Sequence, residues 1–108
     1  MIKSMSLLSA IIAMAPQIAC AQASDIDAGK VVAQSLCAKC HAIEAIGESP
    51  FLPAPPFRLI PDRYDPEDLA EALAEGMVVG HDAMPEFELP PEKITNLLAY
   101  IGSLKQKK

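Results

Sequence analysis

The sequence predicts an all-α domain of three helices joined by extended, proline-rich loops. Apolar residues recur at helical spacing in three separate stretches, and no stretch alternates apolar and polar residues as a paired strand would. Residues 47 to 64 contain five of the ten prolines and predict an extended loop between the first two helices. With 108 residues, the chain is long enough for one domain and too short for two.

The first 23 residues predict a secretory signal peptide. A single early cation, Lys3, precedes an apolar run from Met5 to Ala15, and small residues follow at positions 19 to 23. A charged start, a short apolar core and an A-x-A site in this order are typical of an export signal. Because the apolar run is too short to span a bilayer, we expect a leader over 1–23 and the folded domain over 24–108.

The end of the leader has more than one interpretation. Cleavage after Ala21 and cleavage after Ala23 fit the small-residue pattern equally well. Cys20 is an alternative site of lipid attachment, although Gln17 stands where a leucine is typical. A third interpretation keeps the segment on the protein as a short N-terminal helix.

An acidic cap begins the first predicted helix, and Asp25 and Asp27 both suit that position. The apolar face follows the i, i+3, i+4, i+7 spacing of a helix. That face consists of Gly29, Val32, Ala33 and Leu36. The helix therefore leads directly into Cys37.

The two later helices also carry start and stop signals. Asp65 is an N-cap, Pro66 fits the first turn and Gly76 ends the second helix. Pro90 and Pro91 open the third helix. The apolar faces are Leu69, Ala72 and Leu73 in the second helix and Ile94, Leu97, Leu98 and Ile101 in the third. The whole chain has three Phe, two Tyr and no Trp, so something else must supply the missing aromatic volume of the core.

Removal of the leader leaves two cysteines, Cys37 and Cys40, and His41 follows the second. This is the CxxCH attachment signature of c-type haem: two thiols reach the two vinyl groups on one porphyrin edge, and the adjacent imidazole lies under the iron. Redox dithiols and zinc half-sites share the CxxC spacing. A zinc site needs two further ligands, and His81 is the only other histidine. A thioredoxin-like site needs a βαβ frame that this sequence does not predict.

Met84 is the predicted sixth ligand of the iron. It lies 43 residues after His41, in a loop bounded by a glycine and by Pro85. A thioether ligand favours ferrous iron and raises the reduction potential relative to two imidazoles. His81 is the rival ligand, and Met77 is more simply a core residue at a helix end.

The charge balance excludes some partners. Without the leader, eight basic and fourteen acidic residues give a charge of −6, which is unsuited to nucleic acid and to anionic membranes. Four acids recur along the second helix and form either a solvated face or a surface that steers a basic partner. They are Glu67, Asp68, Glu71 and Glu75.

Together these features resemble the class I cytochrome c family, in particular its small bacterial periplasmic members. The resemblance covers the whole domain: Gly29 eight residues before Cys37, the CxxCH motif, a proline-rich middle, Met84-Pro85 and a closing amphipathic helix. It implies a cytochrome c fold, with three core helices around one covalently bound haem c. It also implies His41 and Met84 as iron ligands, and a close crossing of the first and last helices at Gly29.

The resemblance implies a function as well: a monomeric, single-haem electron carrier of the periplasm that serves redox partner proteins and is not an enzyme. Two alternatives stay open. If Met84 dissociates readily, an open iron would reduce peroxide or bind a diatomic gas. Otherwise the domain is the electron-accepting subunit of a periplasmic dehydrogenase.

The resemblance assigns further residues around the haem. In the family, a proline carbonyl about a dozen residues after the haem histidine accepts a hydrogen bond from the imidazole, and Pro53 has that spacing among several prolines. Buried propionates need donors. The family often uses a tryptophan there, and this chain has none. Arg58, Arg63 and Tyr64 are the candidates, and each is equally an ordinary loop residue.

Overall fold

A computed structural model of the chain describes residues 9–16, 24–76 and 84–105, and within these ranges the protein is helical and has no strand. The elements are α1 (Ile26–Leu36), a 3-10 turn (Phe57–Leu59), α2 (Ile60–Arg63), α3 (Pro66–Glu75) and α4 (Pro91–Ser103). The all-α prediction is confirmed, and α1, α3 and α4 are the three predicted core helices.

Local capping explains where the helices begin and end. Asp25, and not Asp27, caps α1, because its side chain accepts from the Ala28 amide at 2.9 Å. Asp65 caps α3 and accepts from the amide two residues later at 2.8 Å. Gly76 ends α3 with φ +79°, a left-handed conformation that glycine adopts without strain.

Helices α1 and α4 cross in direct backbone contact at Gly29. A Cβ atom added to Gly29 would lie 1.9 Å from the Asn96 carbonyl oxygen and 2.9 Å from Cβ of Tyr100. The Asn96 side chain also accepts from the Asp25 amide at 2.8 Å, which fixes the start of α1 on α4. The crossing implied by the family resemblance is therefore present, and it requires a residue without a side chain.

The proline-rich segment is more structured than the sequence predicts. Instead of extended chain throughout residues 47–64, the 3-10 turn and α2 occupy residues 57–63. Pro61 lies in the first turn of α2, where a missing amide costs nothing. Phe57 and Ile60 are buried in the core, so packing stabilises two short turns that local sequence alone would not favour.

The N-terminal segment is described only at residues 9–16, where the backbone is not helical and the side chains are exposed. The rest of the predicted leader, including Cys20 and both cleavage positions, lies outside the described residues. Among the residues that the structure describes, no helix has the length and apolar character needed to cross a membrane.

Candidate haem-binding site

An apolar cleft of about 150 Å³ lies between the end of α1, the segment at 55–60 and helices α3 and α4. The four residues predicted to attach or ligate a haem all line it. These are Cys37, Cys40, His41 and Met84. Leucine and isoleucine side chains of α3 and α4 form much of the remaining wall. The structure thus brings together residues that are 47 positions apart in the sequence, at one apolar surface.

The CxxCH segment continues α1 as a tight turn. The Cys37 carbonyl accepts from the Cys40 amide at 3.1 Å and from the His41 amide at 2.9 Å. Both cysteines are free thiols. Because all three residues line the same cleft, the turn brings two thiols and one imidazole to a single space.

The environment of Cys37 does not suit thiolate chemistry. Burial raises the pKa of the Cys37 thiol to about 11. A reactive dithiol depends on a thiolate that forms readily, so these surroundings do not favour a redox dithiol. Zinc needs further ligands, and among the described residues no group of three or more His, Cys, Asp or Glu side chains could hold a metal ion.

His41 is buried and held by a backbone carbonyl. Its Nδ1 lies 2.7 Å from the Pro55 oxygen, and since a carbonyl only accepts, Nδ1 carries a proton; in the neutral imidazole the lone pair is then on Nε2. The Phe57 ring packs beside the imidazole at 5.3 Å between centroids. This is the tautomer and orientation that a metal-ligating histidine requires.

The expectation that Pro53 supplies this carbonyl is wrong, because Pro55 does so. Pro53 is exposed and lies in a turn that closes with a 2.9 Å bond from the Ala54 amide to the Phe51 carbonyl. The chain enters the interior at Ala54, which is fully buried. Sequence spacing could not separate prolines two residues apart.

Met84 is half-buried on the cleft wall, next to Pro85 and near Phe87. The preceding segment, residues 77–83, contains Met77 and the rival ligand His81 and lies outside the described residues. Of the two candidate sixth ligands, Met84 is described and lines the cleft, and His81 is outside the described residues.

The three propionate candidates lie in different surroundings. Tyr64 lines the cleft. Arg58 donates from Nη1 to the Gly47 carbonyl at 2.7 Å and so ties two loop segments together, while Arg63 is exposed. The acidic side chains along α3 are also exposed, as both interpretations of that helix face require.

Sequence reasoning missed several polar contacts that support the site. The Tyr100 hydroxyl donates to the Ile43 carbonyl at 2.6 Å, and the Ser49 hydroxyl accepts from the Ala42 amide at 3.0 Å. Tyr100 has a signal in the sequence, because it stands near the apolar face of α4. No sequence signal identifies its partner, the Ile43 carbonyl, which lies 57 residues away.

The chemistry of the lining fits a haem c. Two thiols and an imidazole on one turn match thioether attachment and axial ligation, a thioether sulfur is available on the same cleft, and the remaining wall is apolar. The hydrogen bond from His41 to Pro55 supplies the support that an iron-ligating imidazole needs.

Comparisons with known proteins agree with this chemistry. The family model described as cytochrome C oxidase, cbb3-type, subunit III matches residues 24–101. Cytochrome c-552 of Bradyrhizobium diazoefficiens is 30% identical over 95 residues, which cover 88% of this chain and 89% of that protein. No solved structure matches the chain. Cytochromes c carry haem c and exchange electrons with redox partners, and the two matches show that this chain belongs to that family as a small c-type cytochrome.

Proposed function

We propose that the protein is a periplasmic carrier of single electrons that holds one haem c. In this proposal Cys37 and Cys40 form the thioether bonds, and His41 and Met84 are the axial ligands. The observation that carries it is the shared cleft: all four side chains line one apolar surface, and His41 is oriented by Pro55.

The bound haem would supply an iron that alternates between the ferrous and ferric states. The residues of the chain set how readily it does so. By accepting the hydrogen bond from Nδ1, the Pro55 carbonyl makes the His41 imidazole a stronger electron-pair donor to iron, which favours the ferric state. A Met84 thioether favours the ferrous state. The apolar wall excludes water, so little solvent has to reorganise when the charge on the iron changes.

Residues 1–23 are proposed to be a leader that directs export and is then removed. Two observations support this boundary. The charged, apolar and small-residue segments are in the order of an export signal, and the family match begins at residue 24. The protein would then act in the periplasm, with residues 24–108 as its working domain.

The first test is covalent attachment and stoichiometry. Protein matured in a host that assembles c-type cytochromes should keep its haem in a denaturing gel, at one haem per chain, and its N-terminus should follow Ala21 or Ala23. Haem lost on denaturation would refute attachment through Cys37 and Cys40.

The second test concerns the sixth ligand. Wild-type ferric protein should show the near-infrared absorption band of methionine bound to ferric iron. Met84→His should abolish this band and lower the reduction potential, whereas Met77→Leu should keep both. A band that survives in Met84→His would show that another residue is the ligand. Its absence from the wild type at neutral pH would favour an open or histidine-ligated iron.

A further inference from the structure

We propose that Ser49 is a positioning residue for His41. Its buried hydroxyl holds the peptide that follows His41, and thereby sets the hydrogen bond between the imidazole and Pro55. The inference rests on the proposed function, because it takes His41 to be an iron ligand.

Ser49 is a buried polar residue in an otherwise exposed loop. It is 6% exposed, while its neighbours Glu48 and Pro50 are both exposed. Its Oγ accepts from the Ala42 amide at 3.0 Å, and that amide is buried too. A buried amide without a partner is costly, so the hydroxyl satisfies a group that the fold has removed from water.

The backbone at His41 and Ala42 is held by hydrogen bonds on three successive peptide groups. On one side, the His41 amide donates to the Cys37 carbonyl at 2.9 Å. On the other side, the Ala42 amide donates to Ser49, and the Ala42 carbonyl accepts from the Phe57 amide at 2.9 Å. These bonds fix the direction in which the backbone presents the imidazole.

The same segment carries the acceptor of the imidazole proton. Pro55 accepts from His41 Nδ1, and Phe57, two residues later, donates to Ala42. The two chain segments are therefore joined at two neighbouring points. A shift of the Ala42 backbone that lengthens the Phe57–Ala42 bond also alters the geometry of the His41–Pro55 bond, so Ser49, which holds the Ala42 amide, acts on the Pro55 bond through the backbone.

A specific loop conformation brings Ser49 to this position. Gly47 has φ +104°, a region that side-chain-bearing residues rarely adopt. Arg58 donates to the Gly47 carbonyl at 2.7 Å and anchors the turn from outside. The chain can then return inward within two residues, which places Ser49 against Ala42.

The expected consequence is electronic. A strong Nδ1–H···O=C bond makes the imidazole a better electron-pair donor to iron and so stabilises the ferric state. In Ser49→Ala, the Ala42 amide loses its acceptor, the His41–Pro55 bond loosens and ferric iron is less stabilised. The reduction potential should therefore rise. Ser49→Thr keeps a hydroxyl at the same atom and should restore the wild-type value.

The experiment uses the holoprotein and two readouts. The first is the midpoint potential, and the second is the solvent exchange rate of the His41 Nδ1 proton, followed by NMR in the ferrous state. Ser49→Ala should raise the potential and accelerate exchange, and Ser49→Thr should show neither change. Ser35→Ala is the matched control, since that hydroxyl donates to the Val31 carbonyl on the exposed part of α1; it should behave as wild type.

Wild-type potential and wild-type exchange in Ser49→Ala would overturn the proposal. If Ser49→Ala yields no holoprotein, the exchange rate of the Ala42 amide in the wild type decides: slow exchange supports the bond to Ser49, and fast exchange overturns it. The proposed function fails separately, when the wild type lacks covalent haem or the methionine band.

Discussion

Substitution of Gly29 by alanine tests the contact on which α1 and α4 pack. The added Cβ would lie 1.9 Å from the Asn96 carbonyl oxygen and 2.5 Å from its carbon. Ordinary van der Waals contact begins at 3.4 Å, so the two helices would have to separate by about 1.5 Å locally. The obstructing atoms belong to the backbone of α4, and no side-chain rotation can move them away.

The expected loss of stability follows from two opposing contributions. Overpacking in a core costs about 1–3 kcal/mol, and a clash with backbone belongs at the upper end of that range. Alanine is favoured over glycine inside a helix, and this preference offsets about 1 kcal/mol of the overpacking cost. The net destabilisation is therefore about 2 kcal/mol, which for a domain of this size corresponds to a fall in Tm of about 10 °C.

The assay is denaturant unfolding of the holoprotein, followed by far-ultraviolet circular dichroism and by the haem absorption band. Gly102→Ala is the control on α4: its added Cβ meets nothing within 4 Å, so it should be neutral or stabilising by up to about 1 kcal/mol. The reasoning is refuted if Gly29→Ala is as stable as the wild type, or if the two variants shift the midpoint equally.

Substitutions at three further places test other parts of the structure. Tyr100→Phe removes the bond to the Ile43 carbonyl and should cost about 1–2 kcal/mol at neutral pH. Burial raises the pKa of Tyr100 above its ordinary value of 10; the unfolded chain therefore ionises first, and wild-type stability should fall as the pH rises above 10. The Phe variant should lack that component, and equal alkaline slopes would contradict it. Asp65→Ala should lower the free energy of unfolding by about 1 kcal/mol while Asp65→Asn restores it, as chemical denaturation would show. Finally, the Cys37→Ser/Cys40→Ser double variant should lack covalent haem and a cooperative thermal transition, and a cooperatively melting apoprotein would contradict this.

The three long helices α1, α3 and α4 were predictable from sequence because the residues that start and end them act locally. Asp65 and Gly76 cap α3 through contacts within a few residues, and Pro91 opens α4 where the sequence predicts. The short helix α2 was not predictable. With four residues it has little stability of its own, and it forms because Ile60 is buried against the rest of the core.

In the candidate site, too, the local features were predictable from sequence and the long-range contacts were not. The CxxCH motif predicts its own chemistry, since three side chains on one turn need no distant information. The choice between Pro53 and Pro55 depends on a turn, and the sequence does not reveal the hydrogen bond that closes it. The bond from Tyr100 to Ile43 joins residues that are 57 positions apart. Contacts that depend on how loops pack are therefore the ones that sequence spacing leaves open.

The shortage of aromatic residues has a structural explanation in the cleft. Among the described residues, Phe57 and Tyr100 are the only aromatic members of the buried core, and no large side chain is fully buried. Leucine and isoleucine side chains on α3 and α4 face the cleft instead. Leu73, Leu97 and Ile101 are already buried, whereas Leu69 and Leu98 are half-buried and keep apolar surface at the cleft. A large flat group in that space would remove the remaining apolar surface from water, and covalent haem is such a group. The residues proposed to hold the haem would then also join the two halves of the core, so that loss of a ligand bond and loss of folding stability should occur together.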